Sequence, residues 1–479
     1  MISLFHILSD ATVDWIIQNT TELRIDAGEV LVREGTHIAS MYIVTEGLLG
    51  VHVGPLGRKP ISLCGPGAVV GEQSFIENQT TSASLVAQEQ THLLELPRQR
   101  LMEKTASDSV FAADFYRAIA MTLSQRLRAI SQAQRDTRSG QKPTFDDVNF
   151  QSAWLLMSEF KRMLVAADHE SIKTDGVSEA TYQSLWAKCD ELQKLSHKLL
   201  GDGSPLSDYL REQLGAQLQT EILPYVLLTS TIERCYSKPR GYAGDYYTIE
   251  RIYNNKPEGA GRIGAVVDRL FLELPAAIAV RNRRALLAEE IFATVDSKGG
   301  QMARVLSLAC GPAREIADVF AKIPDKTKLL ATCLDIDLQA LAFVSDWRDK
   351  SGLKSRIQLL NQNLISLALG RAKLDLPPQD LVYSIGLIDY FDDRLVVKML
   401  DFIYQVLAPG GRVILGNFHP RNQTKALMDY LLEWRLIHRS EQDMDRLFQS
   451  SKFARGTTKI RFEEQGVNLF AECIKDAAQ

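Results

Sequence analysis

The sequence predicts a multidomain protein: an amino-terminal antiparallel β-barrel or jelly roll, a helical middle segment, and a carboxy-terminal doubly wound α/β sheet of Rossmann-like type. Three observations predict this. The chain has 479 residues, more than one hydrophobic core usually supports. Its first third reads as short β-type runs punctuated by glycine, and its last third alternates strand and helix patterns. The expected boundaries are 1–136 for the barrel with a terminal helix, 137–148 for a linker, 149–295 for the helical segment and 296–479 for the α/β domain.

Composition narrows the function classes. A formal net charge of -4 disfavours a nucleic-acid partner. No apolar run is long enough to cross a bilayer, and the start, Met1-Ile2-Ser3-Leu4-Phe5-His6, lacks the layout of a signal peptide. The reading is a cytoplasmic protein without membrane insertion. The six cysteines are scattered, with no CxxC pair and no grouping with histidine, so no metal site is expected.

In the barrel, the runs Glu29–Val32, Met41–Val44, Leu48–Val53 and Ile61–Leu63 are separated by Gly35, Gly47, Gly57 and Gly65-Pro66-Gly67. Evenly spaced short strands with turn residues between them fit an antiparallel barrel. A helix over about Asp108–Gln134 follows, with Ile119, Leu123, Leu127 and Ile130 at helical spacing; the stripe fits either a homodimer seam or packing on its own barrel. Asp136–Pro143 reads as linker.

From Phe150 the pattern is helical. Phe150, Trp154, Met157 and Leu164 form one expected core stripe, and Leu185, Cys189, Leu192, Leu195 and Leu199 another. The run Ser237-Lys238-Pro239-Arg240-Gly241-Tyr242-Ala243-Gly244-Asp245-Tyr246-Tyr247 breaks that pattern, because glycine and proline disfavour a helix interior. It reads as a helix-connecting turn or as a loop presenting polar groups. Arg281, Arg283 and Arg284 read as a solvated basic face.

In the last third, Arg304–Leu308 is a buried strand leading into the small-residue turn Ala309-Cys310-Gly311-Pro312 and a helix, which lets a ligand approach the backbone. A second strand ends at Asp335-Ile336-Asp337, an acid placed for a ribose diol. A third leads to Asn363-Leu364, where an amide can read a base edge. Asp380–Ile385 is a fourth, with Ser384, Gly386, Asp389 and Tyr390 around its exit. Leu407-Ala408-Pro409-Gly410-Gly411 opens a fifth, and Lys459–Phe462 with Leu469–Ile474 closes the sheet as a hairpin.

These residues carry three resemblances. Ala27–Gly35, Met41–Gly47, Gly65-Pro66-Gly67 and Gly71-Glu72 resemble the cyclic-nucleotide-binding domains of catabolite-activator-type regulators and cyclic-nucleotide-dependent kinases. The resemblance implies a ligand site at Gly71, Glu72, Thr81 and Ser82 for a cyclic nucleotide or another small effector. Thr81 stands where that family has an arginine; its hydroxyl brings no positive charge, so a cyclic phosphate should bind weakly or not at all. The last part resembles class I S-adenosylmethionine-dependent methyltransferases. This implies S-adenosylmethionine as cofactor, held by Leu308, Ala309, Cys310, Gly311, Asp335, Ile336, Asn363, Leu364, Ser384 and Gly386. Lacking GxGxxG in the first loop, the chain does not resemble a nucleotide dehydrogenase.

Read together with Leu308–Pro312 and Ser384–Tyr390, the loop Pro239–Tyr246 resembles the bacterial hydroxy-fatty-acid (3-hydroxypalmitate) methyl ester biosynthesis proteins. The implied reaction is O-methylation of the carboxylate of a small or lipid-like acid. Tyr242, Asp245 and Tyr246 would line a lid, Tyr390 and His419 the acceptor mouth, and Arg240 or Arg435 would pair with the carboxylate. An ionised carboxylate needs no general base, whereas a hydroxyl or amine acceptor would need one, for which His419 and Asp389 are candidates. The competing reading is a signalling or scaffold protein whose methyltransferase-like domain binds cofactor with a different acceptor or none.

Overall fold

A computed structural model describes residues 8–52, 60, 62–65, 68–72, 75, 80–119, 148–174 and 176–476. The chain forms two compact units, Met1–Thr144 with Lys238–Tyr242, and Phe145–Ser237 with Ala243–Gln479.

The amino-terminal unit holds eight described strands, β1 (Thr21–Ile25), β2 (Val30–Val32), β3 (Ser40–Glu46), β4 (Leu49–His52), β5 (Ser62–Cys64), β6 (Val69–Val70), β7 (Ser84–Ala87) and β8 (Thr91–Pro97). They pair antiparallel as two four-stranded sheets, β1-β8-β3-β6 and β2-β7-β4-β5. Alternation along β3 and β8 explains the layering. Val44 and Leu93 point into a core shared with Ile25, Val32, Leu49 and Leu85. Ile43, Leu94 and Leu96 face the other way, against Ile16, Phe111 and Phe115.

Gly47 needs its missing side chain: at φ 82°, a Cβ there would lie 2.5 Å from the Gln90 carbonyl oxygen. Ile119 is buried against this unit's own core. Leu123, Leu127 and Ile130, the remainder of the expected dimer seam, lie outside the described residues, as does most of the 137–148 linker.

The second unit opens with helices at Val148–Thr174, Glu179–Leu200 and Asp208–Val226. Ser178 and Ser207 start the latter two by accepting the Thr181 and Leu210 backbone N–H groups. Phe150, Met157, Leu164, Leu185, Cys189, Leu192 and Leu199 are buried as their spacing predicts. Trp154 is not: it is 49% exposed. The buried stripe advances through Ala153, Met157, Phe160 and Leu164, which leaves Trp154 on its flank.

The α/β part is a seven-stranded sheet of β9 (Ala303–Leu308), β10 (Leu329–Asp335), β11 (Ile357–Asn361), β12 (Gln379–Ile385), β13 (Leu407–Phe418), β14 (Lys459–Phe462) and β15 (Asn468–Ile474), ordered β11-β10-β9-β12-β13-β15-β14. Strands β9 to β13 are mutually parallel, and β15 pairs antiparallel with both β13 and β14. The strand order reverses between β9 and β12, so the carboxyl ends of those strands border the crevice where ligands bind in such sheets. The helices Pro275–Ser297, Arg314–Lys322 and Leu338–Lys350 pack on one face, and Asp393–Val406 with Glu441–Gln449 on the other.

Candidate functional site

At the crevice, the turn after β9 takes an unusual path. Ala309, Gly311 and Ala313 have φ of 53°, 53° and 48°. Alanine in the left-handed region costs about 1 kcal/mol or more, and such conformations cluster at ligand-binding turns. Open space surrounds Gly311: a Cβ there would meet no atom within 4 Å. Its N–H donates to Asp335 Oδ2 at 2.9 Å, while Asp335 Oδ1 accepts the Asp337 N–H at 2.9 Å. The Cys310 N–H closes the turn on the Leu334 carbonyl, and Ser384 Oγ donates to the Leu308 carbonyl at 3.0 Å.

Burial raises the Asp335 carboxyl to about 6, against the two N–H donors that favour its ionised form. Ile336 follows it at the strand exit. Asn361 Nδ2 holds the Asp335 and Ile336 carbonyls at 3.1 and 2.7 Å. Asn363 Oδ1 caps the helix Leu364–Ala368 by accepting the Ile365 and Ser366 N–H groups. These bonds engage its oxygen and not its amide N–H₂. Leu308, Ala309, Cys310, Gly311, Asp335, Ile336, Asn363, Leu364, Ser384 and Gly386 therefore all lie on, or just beyond, the carboxyl ends of β9 to β12. A turn with open space at Gly311, an acid and an adjacent amide at these strand ends can offer hydrogen bonds to a nucleoside-type ligand.

On the β12 and β13 side, Asp389 is 1% exposed. Its Oδ1 accepts the Phe418 N–H at 2.6 Å, and its Oδ2 is buried without a hydrogen-bond partner. Burial raises its carboxyl to about 6, opposed by the nearby Arg283 and Arg439 charges. The Ile388–Tyr390 turn that carries it is clamped by fully buried Arg439. That guanidinium donates to the Ile388 and Phe391 carbonyls, to Asn417 Oδ1 and to Asp393. Tyr390 Oη accepts Trp434 Nε1–H at 2.8 Å, and burial pushes its phenol upward.

The sequence-predicted loop divides. Arg240 and Tyr242 fall within Lys238–Tyr242, which groups with the amino-terminal unit. Asp245 is completely buried: it caps the helix Tyr246–Asn254 by accepting the Thr248 N–H and pairs with Arg234, both at 2.7 Å. Such a cap contributes about 1 kcal/mol. Gly244 packs so closely on Tyr390 and Trp434 that a Cβ would lie 3.1 Å from the Tyr390 oxygen. Two residues on, the Tyr246 ring lies 5.6 Å from that of Phe343, and Arg314 sits over the same Phe343 ring while forming a two-bond pair with buried Glu250. The stretch Gly244–Tyr246 thus reaches from the turn after β12 to the helix after β10.

His419 lies just past β13, but both ring nitrogens are engaged. Nδ1 accepts the Arg421 N–H at 3.1 Å, which assigns the proton to Nε2 and its hydrogen bond to Glu441 at 3.0 Å. Arg435 is exposed.

Sequence reasoning missed Arg283. The expected solvated face is not one: Arg284 pairs with Asp318 through two 2.7 Å bonds, Arg281 donates to the Leu272 carbonyl, and Arg283 is 5% exposed. The helix Pro275–Ser297 is packed on more than one side, so three clustered arginines do not share an open flank.

In the amino-terminal unit, Gly71 has φ 88° and Glu72 is buried. Ser82 is exposed. Thr81 Oγ1 donates to the Arg33 carbonyl at 2.6 Å and lies 3.2 Å from the Thr36 carbonyl, which engages the hydroxyl within the fold. Buried His52 has no hydrogen-bond partner at either ring nitrogen.

Two family models match. Residues 22–108 match the cyclic nucleotide-binding domain, and residues 241–470 match the family described as "Putative methyltransferase". The chain joins a cyclic nucleotide-binding domain to a methyltransferase domain. It shares 24% identity over 240 residues with the uncharacterised protein YnbC of Escherichia coli K12; that match covers 48% of this chain and only 40% of the relative.

Among solved structures, a protein from Bordetella parapertussis described as a possible exported protein aligns with 67% of this chain and 97% of its own (18% identity, TM-score 0.41). Magnesium protoporphyrin IX methyltransferase from Synechocystis PCC 6803, with bound S-adenosylmethionine, aligns with 48% of this chain and 91% of its own (13%, 0.33). The catabolite activator protein of Thermus thermophilus aligns with 39% and 86% (24%, 0.25). Among the described residues of both domains, no helix is long and apolar enough to cross a membrane, and no cluster of His, Cys, Asp and Glu could hold a metal ion.

Proposed function

We propose that the methyltransferase domain uses S-adenosylmethionine to O-methylate the carboxylate of a small, lipid-like acid in the cytoplasm. The observation that carries cofactor use is the Gly311–Asp335 arrangement: a strained, open turn hydrogen-bonded to an acid at the next strand's end. Asp335 would take the ribose hydroxyls, the Asn363 amide the adenine edge, and the Ala309–Gly311 backbone the methionine part. When bound, the cofactor supplies an electrophilic methyl group on a sulfonium. Transfer to a carboxylate oxygen forms the C–O bond, sends the C–S electron pair to sulfur, neutralises both charges and moves no proton.

That balance suits this site. His419 is engaged at both nitrogens, and a carboxylate acceptor needs no general base. What remains for the protein is positioning and exclusion of water. Gly244–Tyr246, with Tyr390 and Trp434 beneath it, would cover the crevice as the lid.

Incubation with methyl-labelled S-adenosylmethionine and 3-hydroxy fatty acids tests the reading. Base-labile methyl esters are expected; methylation of amines or phenols with no ester would overturn it. For the cyclic nucleotide-binding domain we infer a small polar effector, because His52 offers two buried, unpartnered ring nitrogens while Thr81 supplies no charge for a phosphate.

A further inference from the structure

Arg283 is a desolvated guanidinium, and among the described residues no carboxylate lies within ion-pair distance of it. A buried arginine is normally paired, because an uncompensated charge away from water is costly. Arg283 lies against the turn after β12: a Cβ at Gly386 would sit 3.0 Å from its Nη1, so the glycine leaves room for the guanidinium. Around it are the Tyr253 hydroxyl and the carboxyls of Glu315 and Asp389. Glu315 is already engaged by the Tyr383 hydroxyl at 2.7 Å. Asp389 is not fully engaged: its buried Oδ2 has no partner. An unpaired cation and an orphaned acid oxygen therefore lie beside the turn after β12.

The structure assigns Arg283 as the carboxylate anchor of the methyltransferase site, with Asp389 Oδ2 as its polar companion. This rests on the proposed carboxyl methylation and places the acceptor's acid group at Gly386, where the sequence pointed to Arg240 or Arg435. A planar guanidinium can hold one carboxylate oxygen, or both, without covering the lone pair that attacks. Asp389 in its protonated form can donate Oδ2–H to the same group. The other source of a carboxylate is the methionine part of the cofactor, and the experiment separates the two.

Wild type, Arg283→Gln and Arg283→Lys are compared in three measurements: binding of S-adenosylhomocysteine, binding of 5′-methylthioadenosine, which lacks the amino-acid carboxylate, and ester formation from 3-hydroxypalmitate. Both variants are expected to raise the acceptor KM tenfold or more while binding the two nucleosides as wild type does. Loss of S-adenosylhomocysteine affinity with 5′-methylthioadenosine unchanged would keep the anchor but overturn its assignment to the acceptor. No change in any of the three overturns the proposal. Arg283→Lys keeps the charge and loses the fork, so it decides the question should Arg283→Gln fail to fold. If wild type binds S-adenosylhomocysteine but esterifies no acid, the ester reading fails by itself and the nucleoside comparison still tests the anchor.

Discussion

Asp335 and Gly311 form a direct bond across two strands, the Gly311 N–H donating to Asp335 Oδ2 at 2.9 Å. Strand β10 therefore sets the shape of the turn after β9, and the same carboxyl is the one proposed to take the ribose hydroxyls. Asp335→Ala removes the acceptor for two backbone donors at once. Affinity for S-adenosylhomocysteine should fall at least tenfold by calorimetry, and the denaturation midpoint should drop by the equivalent of about 1–3 kcal/mol.

Asp389 has a folded-state pKa raised from 3.8 to about 6. The folded protein thus holds a proton that the unfolded chain releases at lower pH, and stability falls as pH rises through that window. Asp389→Asn keeps an acceptor for the Phe418 N–H and cannot ionise. The variant should match wild type near pH 4 and exceed it above pH 6, by up to roughly 3 kcal/mol. Urea midpoints across pH 4.5–7.5 check the divergence; parallel curves would contradict it.

Arg439 donates to four acceptors while 2% exposed. Arg439→Met strands two carbonyls and the Asn417 amide oxygen and should lower stability by about 3–5 kcal/mol in guanidinium unfolding. Arg439→Lys should recover little, because an ammonium cannot span the same fork.

Thr81 has its hydroxyl turned onto the Arg33 and Thr36 carbonyls. Calorimetry should therefore find cyclic AMP binding weak or absent. Thr81→Arg restores a cation for the cyclic phosphate and is expected to tighten binding by tenfold or more. Equal heats for the two proteins would mean that the barrel's ligand carries no phosphate.

The sheet was legible because its strands are buried on both faces and read as short apolar runs, each ending in a small or acidic residue at the crevice: Leu308 before Ala309, Leu334 before Asp335, Ile385 before Gly386. The barrel was legible from its glycines, which mark turns whether or not the intervening strands alternate cleanly. Strands β1, β7 and β8 left a weaker trace; in β8 two adjacent leucines, Leu93 and Leu94, face opposite cores and blur the period of two. Arg283 left none. Its neighbours in sequence are arginines with unrelated partners, and the group that gives it meaning, Gly386, is about a hundred residues away and meets it only in the folded sheet. His419 shows the converse: its position after β13 was readable, but its bonds to Arg421 and Glu441 were not.

The helices of the middle segment bury Phe150, Leu185 and Val226 in the same core as Phe418, Leu431 and Trp434, which come from the end of β13 and the chain after it. The second unit is therefore one folding body, helices and sheet together. A fragment beginning at the first strand of the sheet would leave Phe418, Leu431 and Trp434 without the helices that cover them.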